Sequence, residues 1–181
     1  MTLYLVRHPR PAIGKDLCYG ASDVPVTENE MNSVLAALRA AGLPGELPVY
    51  ASPLQRCAVL AQRLRPRLLR IDARLAEMDF GAWELRSWDD IPRAEVDAWA
   101  ADLLHYRPGG AENLLDVARR VAAFMDELRA SGEPQALLIC HAGTIRLLMQ
   151  MTRGLTLEQA ALQAAQTPHH IGYGQLLMLE V

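Results

Sequence analysis

The chain has 181 residues, of which 51% are hydrophobic and 22% charged, with a formal net charge of -3. That length suits a single domain burying roughly two-thirds of its unfolded surface, and the composition is far from the charge-rich, apolar-poor balance of disordered chains. The charge supplies no long-range attraction for phosphate backbones, so no nucleic-acid partner is expected and any basic site must be local.

No apolar run reaches the ~18 residues of a membrane span, and no charged n-region leads into an apolar h-region. The three cysteines, Cys18, Cys57 and Cys140, are an odd number without paired motif spacing. Together these predict a reduced, cytoplasmic protein with structural thiols.

Leu3 to Val6 form an apolar run too short for a helix, which suits a buried strand ending at Arg7 and His8. Pro9, Pro11, Gly14, Gly20 and Pro25 then predict a loop over a site. Thr27 reads as an N-cap, followed by Met31, Val34, Leu35 and Leu38 at helical spacing until Gly42. Pro48 to Ser52 reads as a second strand, with Pro53 in the first turn of a helix running through Leu60 to Leu64. Leu68 to Ile71 is a third strand, and Ala73 to Trp88 an irregular segment.

Helical spacing returns over Asp89 to Leu104, is broken at Pro108-Gly109-Gly110, and resumes through Val117, Val121, Phe124 and Leu128. Residues 78–112 are expected to form a small helical cap insertion. Ala136 to Cys140 is the clearest parallel strand, passing through His141, Ala142 and Gly143 into a helix that Gly154 closes; Tyr173 to Val181 is a last apolar strand. The alternation predicts an α/β fold in three layers, with a mostly parallel sheet and helices on both faces.

In such sheets, residues just beyond the carboxyl ends of separate strands converge. Arg7-His8, Ser52 to Arg56, Glu77 and His141-Ala142-Gly143 all occupy such positions. Arg7 and Arg56 offer permanently charged forks that match phosphate oxygens. Their charge lowers a neighbouring histidine's pKa and leaves a neutral nitrogen free to attack phosphorus, with His8 the nucleophile candidate. His141 would donate to a non-bridging oxygen, and the backbone N–H groups of Ala142 and Gly143, opening a helix, would add anion stabilisation. Glu77 would protonate the departing ester oxygen and later take a proton from water.

The segments LYLVRHP, YASPLQRC, LAEMDFGAWE and LLICHAGTIR, in that order, resemble the histidine phosphatase superfamily, also called phosphoglycerate mutase-like. The resemblance implies the phosphoglycerate mutase-like fold, a phosphorylated nucleophile at His8, phosphate binding by Arg7, Arg56 and His141, and proton donation by Glu77. It implies no cofactor and no metal. Further segments, CYGASDVP, DFGAWE, WDDIP and PGGAEN, resemble alpha-ribazole phosphatase-like proteins. Those remove phosphate from alpha-ribazole 5′-phosphate in assembly of the cobalamin nucleotide loop, which implies a small phosphomonoester as partner. The chain departs from the family opening, where glycine, glutamate and threonine usually follow the histidine; here Pro9, Arg10 and Pro11 stand. Pro9 removes an N–H from the phosphate cradle, and Arg10 is expected to face solvent.

Phosphomonoester hydrolysis is the leading expectation. A mutase or a phosphatase acting on a sugar phosphate is the near alternative, and a non-catalytic phosphate-binding module, favoured by the altered residues after His8, is the distant one. His169-His170 lack accompanying carboxylate or cysteine ligands and are expected at the surface or a pocket rim rather than on a metal. Trp83, Trp88 and Trp99 either pack a core for the cap or stack on a substrate ring, and packing is the expected use. His105 is expected in a loop.

Overall fold

The computed structural model describes Met1–Val181. Five strands, β1 (Thr2–Arg7), β2 (Val49–Ala51), β3 (Leu69–Ile71), β4 (Gln135–Cys140) and β5 (Leu176–Glu180), form one sheet in the order β3-β2-β4-β1-β5. The first four run parallel, and β5 pairs antiparallel with β1 at the edge.

The chain has six helices, of which all but α3 cover the sheet: α1 (Glu28–Ala40), α2 (Gln55–Leu64), α3 (Arg93–Ala101), α4 (Leu114–Ala130), α5 (Ala142–Met151) and α6 (Leu157–Gln166). Strand alternation sorts the core into two layers. Leu137 and Ile139 of β4 pack with Val6, Val49 and the buried stripe Met31, Val34, Leu35 and Leu38 of α1, joined by Cys57, Leu60 and Ala61 of α2. Ala136, Leu138 and Cys140 face the other way, onto Leu3, Leu5 and the buried faces of α4, α5 and α6. The sheet is therefore sandwiched between α1–α2 and α4–α6, the three-layer α/β architecture expected.

Local signals account for the helix ends. Thr27 accepts from Glu30 N–H as N-cap of α1, and Asn113 with Asp116 forms a capping box at α4. Three expectations change in detail. The helix after β2 begins at Gln55 with Leu54 as N-cap, so Pro53 lies before its first turn. The helix sought over Asp89 to Leu104 is confined to Arg93–Ala101, preceded by Pro92 and by a 3₁₀ turn at Trp88–Asp90. The apolar spacing predicts no helix at α6, although Thr156 and Gln159 supply a capping box at its start.

Residues 78–112 combine short 3₁₀ turns with α3 around a small core of Cys18, Trp83 and Ile91, edged by Phe80, Val96, Trp99 and Tyr106. Trp83 is buried, donates from Nε1 to Glu95 (2.8 Å) and meets Trp99 edge-on at 5.8 Å.

Candidate active site

The β1–β4 register builds the centre of the site. Arg7 pairs with Cys140 at the carboxyl ends of two parallel neighbours, so the next residues, His8 and His141, emerge side by side. Their rings lie 5.0 Å apart, and both are almost wholly withdrawn from solvent, His8 3% exposed and His141 0%. Ser52 follows β2, whose Ala51 pairs with Ile139, and so arrives beside His141.

Each imidazole is held by one nitrogen. His8 Nδ1 lies 2.7 Å from the Pro9 carbonyl, which can only accept; Nδ1 therefore carries the proton and Nε2 keeps its lone pair in the neutral ring. His141 Nε2 lies 2.8 Å from Ser52 Oγ, and Leu54 N–H donates to that oxygen (3.3 Å). The Ser52 proton is then free to point at His141 Nε2, placing the ring proton on Nδ1, a buried atom with no protein partner.

Both rings are kept neutral. Burial, reinforced by Arg56 and then Arg7, pushes His8 down to about 3, against an opposing pull from the Pro9 carbonyl. Burial lowers His141 well below its ordinary value, helped by His8 and Arg56.

The arginines are built in. Arg56 is 0% exposed and donates from Nη1 to the Ser22 carbonyl (2.7 Å) and from Nη2 to that of Gly20 (2.5 Å). Arg7 donates to the Ile171 carbonyl (2.6 Å) and lies 3.7 Å from the centroid of the Tyr173 ring. Arg7 Nε and Arg56 Nε, like His141 Nδ1, are buried without a protein partner. Buried donors without partners are rare and costly. Three in one locality, two on guanidinium groups whose charge is felt at both histidines, are what an anion-binding pocket requires.

Glu77 follows β3 after the 3₁₀ turn Ala73–Leu75. Its Oε2 accepts from Gly143 N–H (3.2 Å), two residues past His141. Ala142 and Gly143 open α5, as expected, but the Gly143 N–H is engaged by Glu77 rather than left for an anion.

What the site uses at position 9 is the carbonyl, which proline retains. Arg10 is exposed, its guanidinium 5.5 Å from the Tyr173 ring.

A cavity of about 370 Å³ opens beside Glu77, Ala142 and Gly143. Its walls are mostly apolar, Phe80, Trp99, Leu103, Val117 and Leu147 among them, while Arg146 and His169 add polar groups. Trp99 edges the small 78–112 core, the expected packing use, and also lines the cavity. His169 is at the cavity rim, and His105 is exposed and paired with Asp102. No group of three or more His, Cys, Asp or Glu side chains is placed to hold a metal ion. Burial pushes the thiols of Cys57 and Cys140 up, away from reactivity.

Several contributors had no role in the sequence reading. Ser52, inside YASPLQRC, orients His141. Glu84, inside DFGAWE, accepts from the backbone N–H groups of Gly20, Ala21, Ser22 and Phe80 at 2.9–3.1 Å. Burial alone would raise this carboxyl, but those bonds hold it below the usual carboxylate range. The loop it gathers is the one whose carbonyls grip Arg56. Tyr19 and Tyr173 join hydroxyl to hydroxyl at 3.0 Å beside the arginines.

A family model described as histidine phosphatase superfamily (branch 1) matches residues 3–170. The adenosylcobalamin/alpha-ribazole phosphatase of Salmonella typhimurium is 31% identical over 170 residues, covering 90% of this chain and 83% of that protein. The mycobacterial glucosyl-3-phosphoglycerate phosphatase superimposes with a TM-score of 0.76 at 27% identity, over 99% of this chain and 89% of the other. The alpha-ribazole phosphatase from Shigella flexneri shares the fold at a TM-score of 0.83 and 24% identity, over 100% of this chain and 91% of its own.

Proposed function

The chain belongs to the histidine phosphatase superfamily, branch 1, and from that premise we propose that it hydrolyses phosphomonoesters through a phosphorylated His8, without metal or organic cofactor, acting on alpha-ribazole 5′-phosphate in cobalamin nucleotide-loop assembly. The observation that carries the mechanism is the pair of buried neutral imidazoles beside three unpartnered buried N–H donors.

Arg7, Arg56 and His141 Nδ1–H hold the phosphoryl oxygens, and their charge and dipoles stabilise the transition state. The His8 Nε2 lone pair forms the N–P bond as the ester P–O bond breaks, and the Glu77 carboxyl gives its proton to the departing alcohol oxygen. In the second step the Glu77 carboxylate takes a proton from water. The water oxygen bonds to phosphorus, the N–P bond breaks, and inorganic phosphate leaves with Nε2 and the Glu77 carboxyl restored.

The substrate assignment is supported by the relative of that activity at 31% identity. It is also supported by the apolar cavity next to Glu77, which suits a ring-bearing alcohol better than a small charged one. Residues 78–112 act as the cap that supplies Phe80, Trp99 and Leu103 to this cavity.

The test is phosphate release in EDTA from alpha-ribazole 5′-phosphate, glucosyl-3-phosphoglycerate and 3-phosphoglycerate. A kcat/KM at least about tenfold higher for the first is expected. Preference for either glycerate ester would overturn the substrate assignment, and isomerisation of 3-phosphoglycerate in place of hydrolysis would identify a mutase.

A further inference from the structure

Arg120 lies on α4, not at the strand ends that supply the phosphate site, yet its charge is felt at His141 and its guanidinium reaches the loop bearing Glu77. Nη1 donates to the carbonyls of Arg74 (2.8 Å) and Ala76 (2.7 Å), and Nη2 donates to that of Glu77 itself (3.2 Å). The remaining donors meet Glu112, Nε to Oε1 at 2.8 Å and Nη2 to Oε2 at 3.0 Å. Glu112 closes the loop from the other side: Oε2 accepts from Asp79 N–H (3.0 Å), and its own N–H donates to the Asp79 carbonyl (3.2 Å).

One fork and one carboxylate thus tie the backbone on both sides of Glu77. Residues 76–80 belong to no helix or strand, so their polar groups need partners from elsewhere. A planar fork with five donors suits this task, where a lysine offers one point charge. The pair is partly shielded, the Arg120 side chain 18% and Glu112 26% exposed. The cavity beside Glu77 is walled by Met78 and Val117 rather than by Arg120.

We infer that Arg120, held by Glu112, is a positioning residue for proton transfer, fixing the Glu77 carboxyl over the leaving-group oxygen without itself touching substrate. The inference rests on the reading of Glu77 as the proton donor. A staple that only stabilises the fold would weaken all reactions alike. One that aims a proton matters most where the leaving alcohol needs protonation.

The experiment compares kcat/KM for benzyl phosphate, whose alkoxide is a poor leaving group, and 4-nitrophenyl phosphate, whose phenolate departs unaided. Arg120→Met and Glu112→Gln are expected to lower the benzyl value about 100-fold and the nitrophenyl value less than about fivefold. Arg120→Lys should fall between wild type and Arg120→Met, and inhibition by inorganic phosphate should stay within about twofold of wild type in all three variants. Equal losses on the two esters, or no loss in either Arg120→Met or Glu112→Gln, would overturn the inference. Glu77→Gln run on the same pair separates the two levels. If it lacks the ester-selective loss, the proton-donor reading fails and this inference with it; if it alone shows that loss, only the role of Arg120 fails.

Discussion

The Glu77 carboxylate and the α-carbon of Gly143 leave no room for a methyl group between them: a Cβ at position 143 would lie 2.5 Å from Glu77 Oε1 and 3.2 Å from its Cδ. Gly143 is required by this approach rather than by its backbone angles, since it sits in the first turn of α5. The group in the way is the end of a side chain, so Gly143→Ala is accommodated by moving the carboxylate. The expected result is a fall in kcat/KM of about 100-fold, as for an ångström-scale misplacement, with a melting temperature close to wild type. Circular dichroism melts and steady-state kinetics on one preparation check both parts.

Ser52→Ala removes the only hydroxyl beside His141 Nε2. Nε2 then keeps only the weak thiol of Cys57, 3.6 Å away, a loss of about 1 kcal/mol, and the ring is freed to take the other tautomer, which lacks the Nδ1 proton. Loss of stability in urea and a fall of about tenfold in kcat/KM are expected together. Ser52→Thr, which keeps the hydroxyl, should recover most of the activity.

Glu84→Gln replaces one of two acceptor oxygens by an amide that cannot receive the N–H groups of the 20–22 loop. That loop supplies the carbonyls that grip Arg56, so the effect should appear in phosphate affinity. Vanadate or phosphate titrations are expected to show binding weakened about tenfold, with stability lowered by about 1–2 kcal/mol.

The histidines set an acid limit on stability. Burial first, then Arg56, lowers His8 from 6.5 to about 3 in the folded chain. The unfolded chain therefore binds the extra proton in this interval and the folded chain does not. The contribution is fully present above pH 6.5 and is lost as the pH falls towards 3. Urea midpoints should decline over that window in wild type and decline less steeply in His8→Asn; parallel slopes would show that His8 is not held neutral.

Much of this was legible in the sequence because strand ends carry their own markers. LYLVRHP and LLICHAG each read as an apolar strand followed by a histidine, and the sheet rule makes such ends converge. The β1–β4 register that sets the rings 5.0 Å apart is a property of pairing that no single strand encodes. Helix α6 escaped because its buried face is alanine, Ala160, Ala161 and Ala164, in place of the large apolar side chains that mark the stripe of α1. Ser52 and Glu84 lay inside visible motifs and Arg120 on a visible helix, but each also needs a partner more than 40 residues away in sequence, His141, the 20–22 loop and the 74–77 carbonyls, reached only on folding. The use of the Pro9 carbonyl to hold His8 Nδ1 depends on backbone geometry that the residue type does not encode.

The central claim is that phosphate passes through His8. Rapid quenching at neutral to alkaline pH, during turnover of 4-nitrophenyl phosphate, followed by intact-protein mass spectrometry and peptide mapping, tests it directly. The expected result is a transient gain of one phosphoryl group on His8 that hydroxylamine removes, absent in His8→Ala, which also fails to release phosphate. Release at wild-type rate from His8→Ala, or a phosphoryl group on another residue during turnover, would contradict the account.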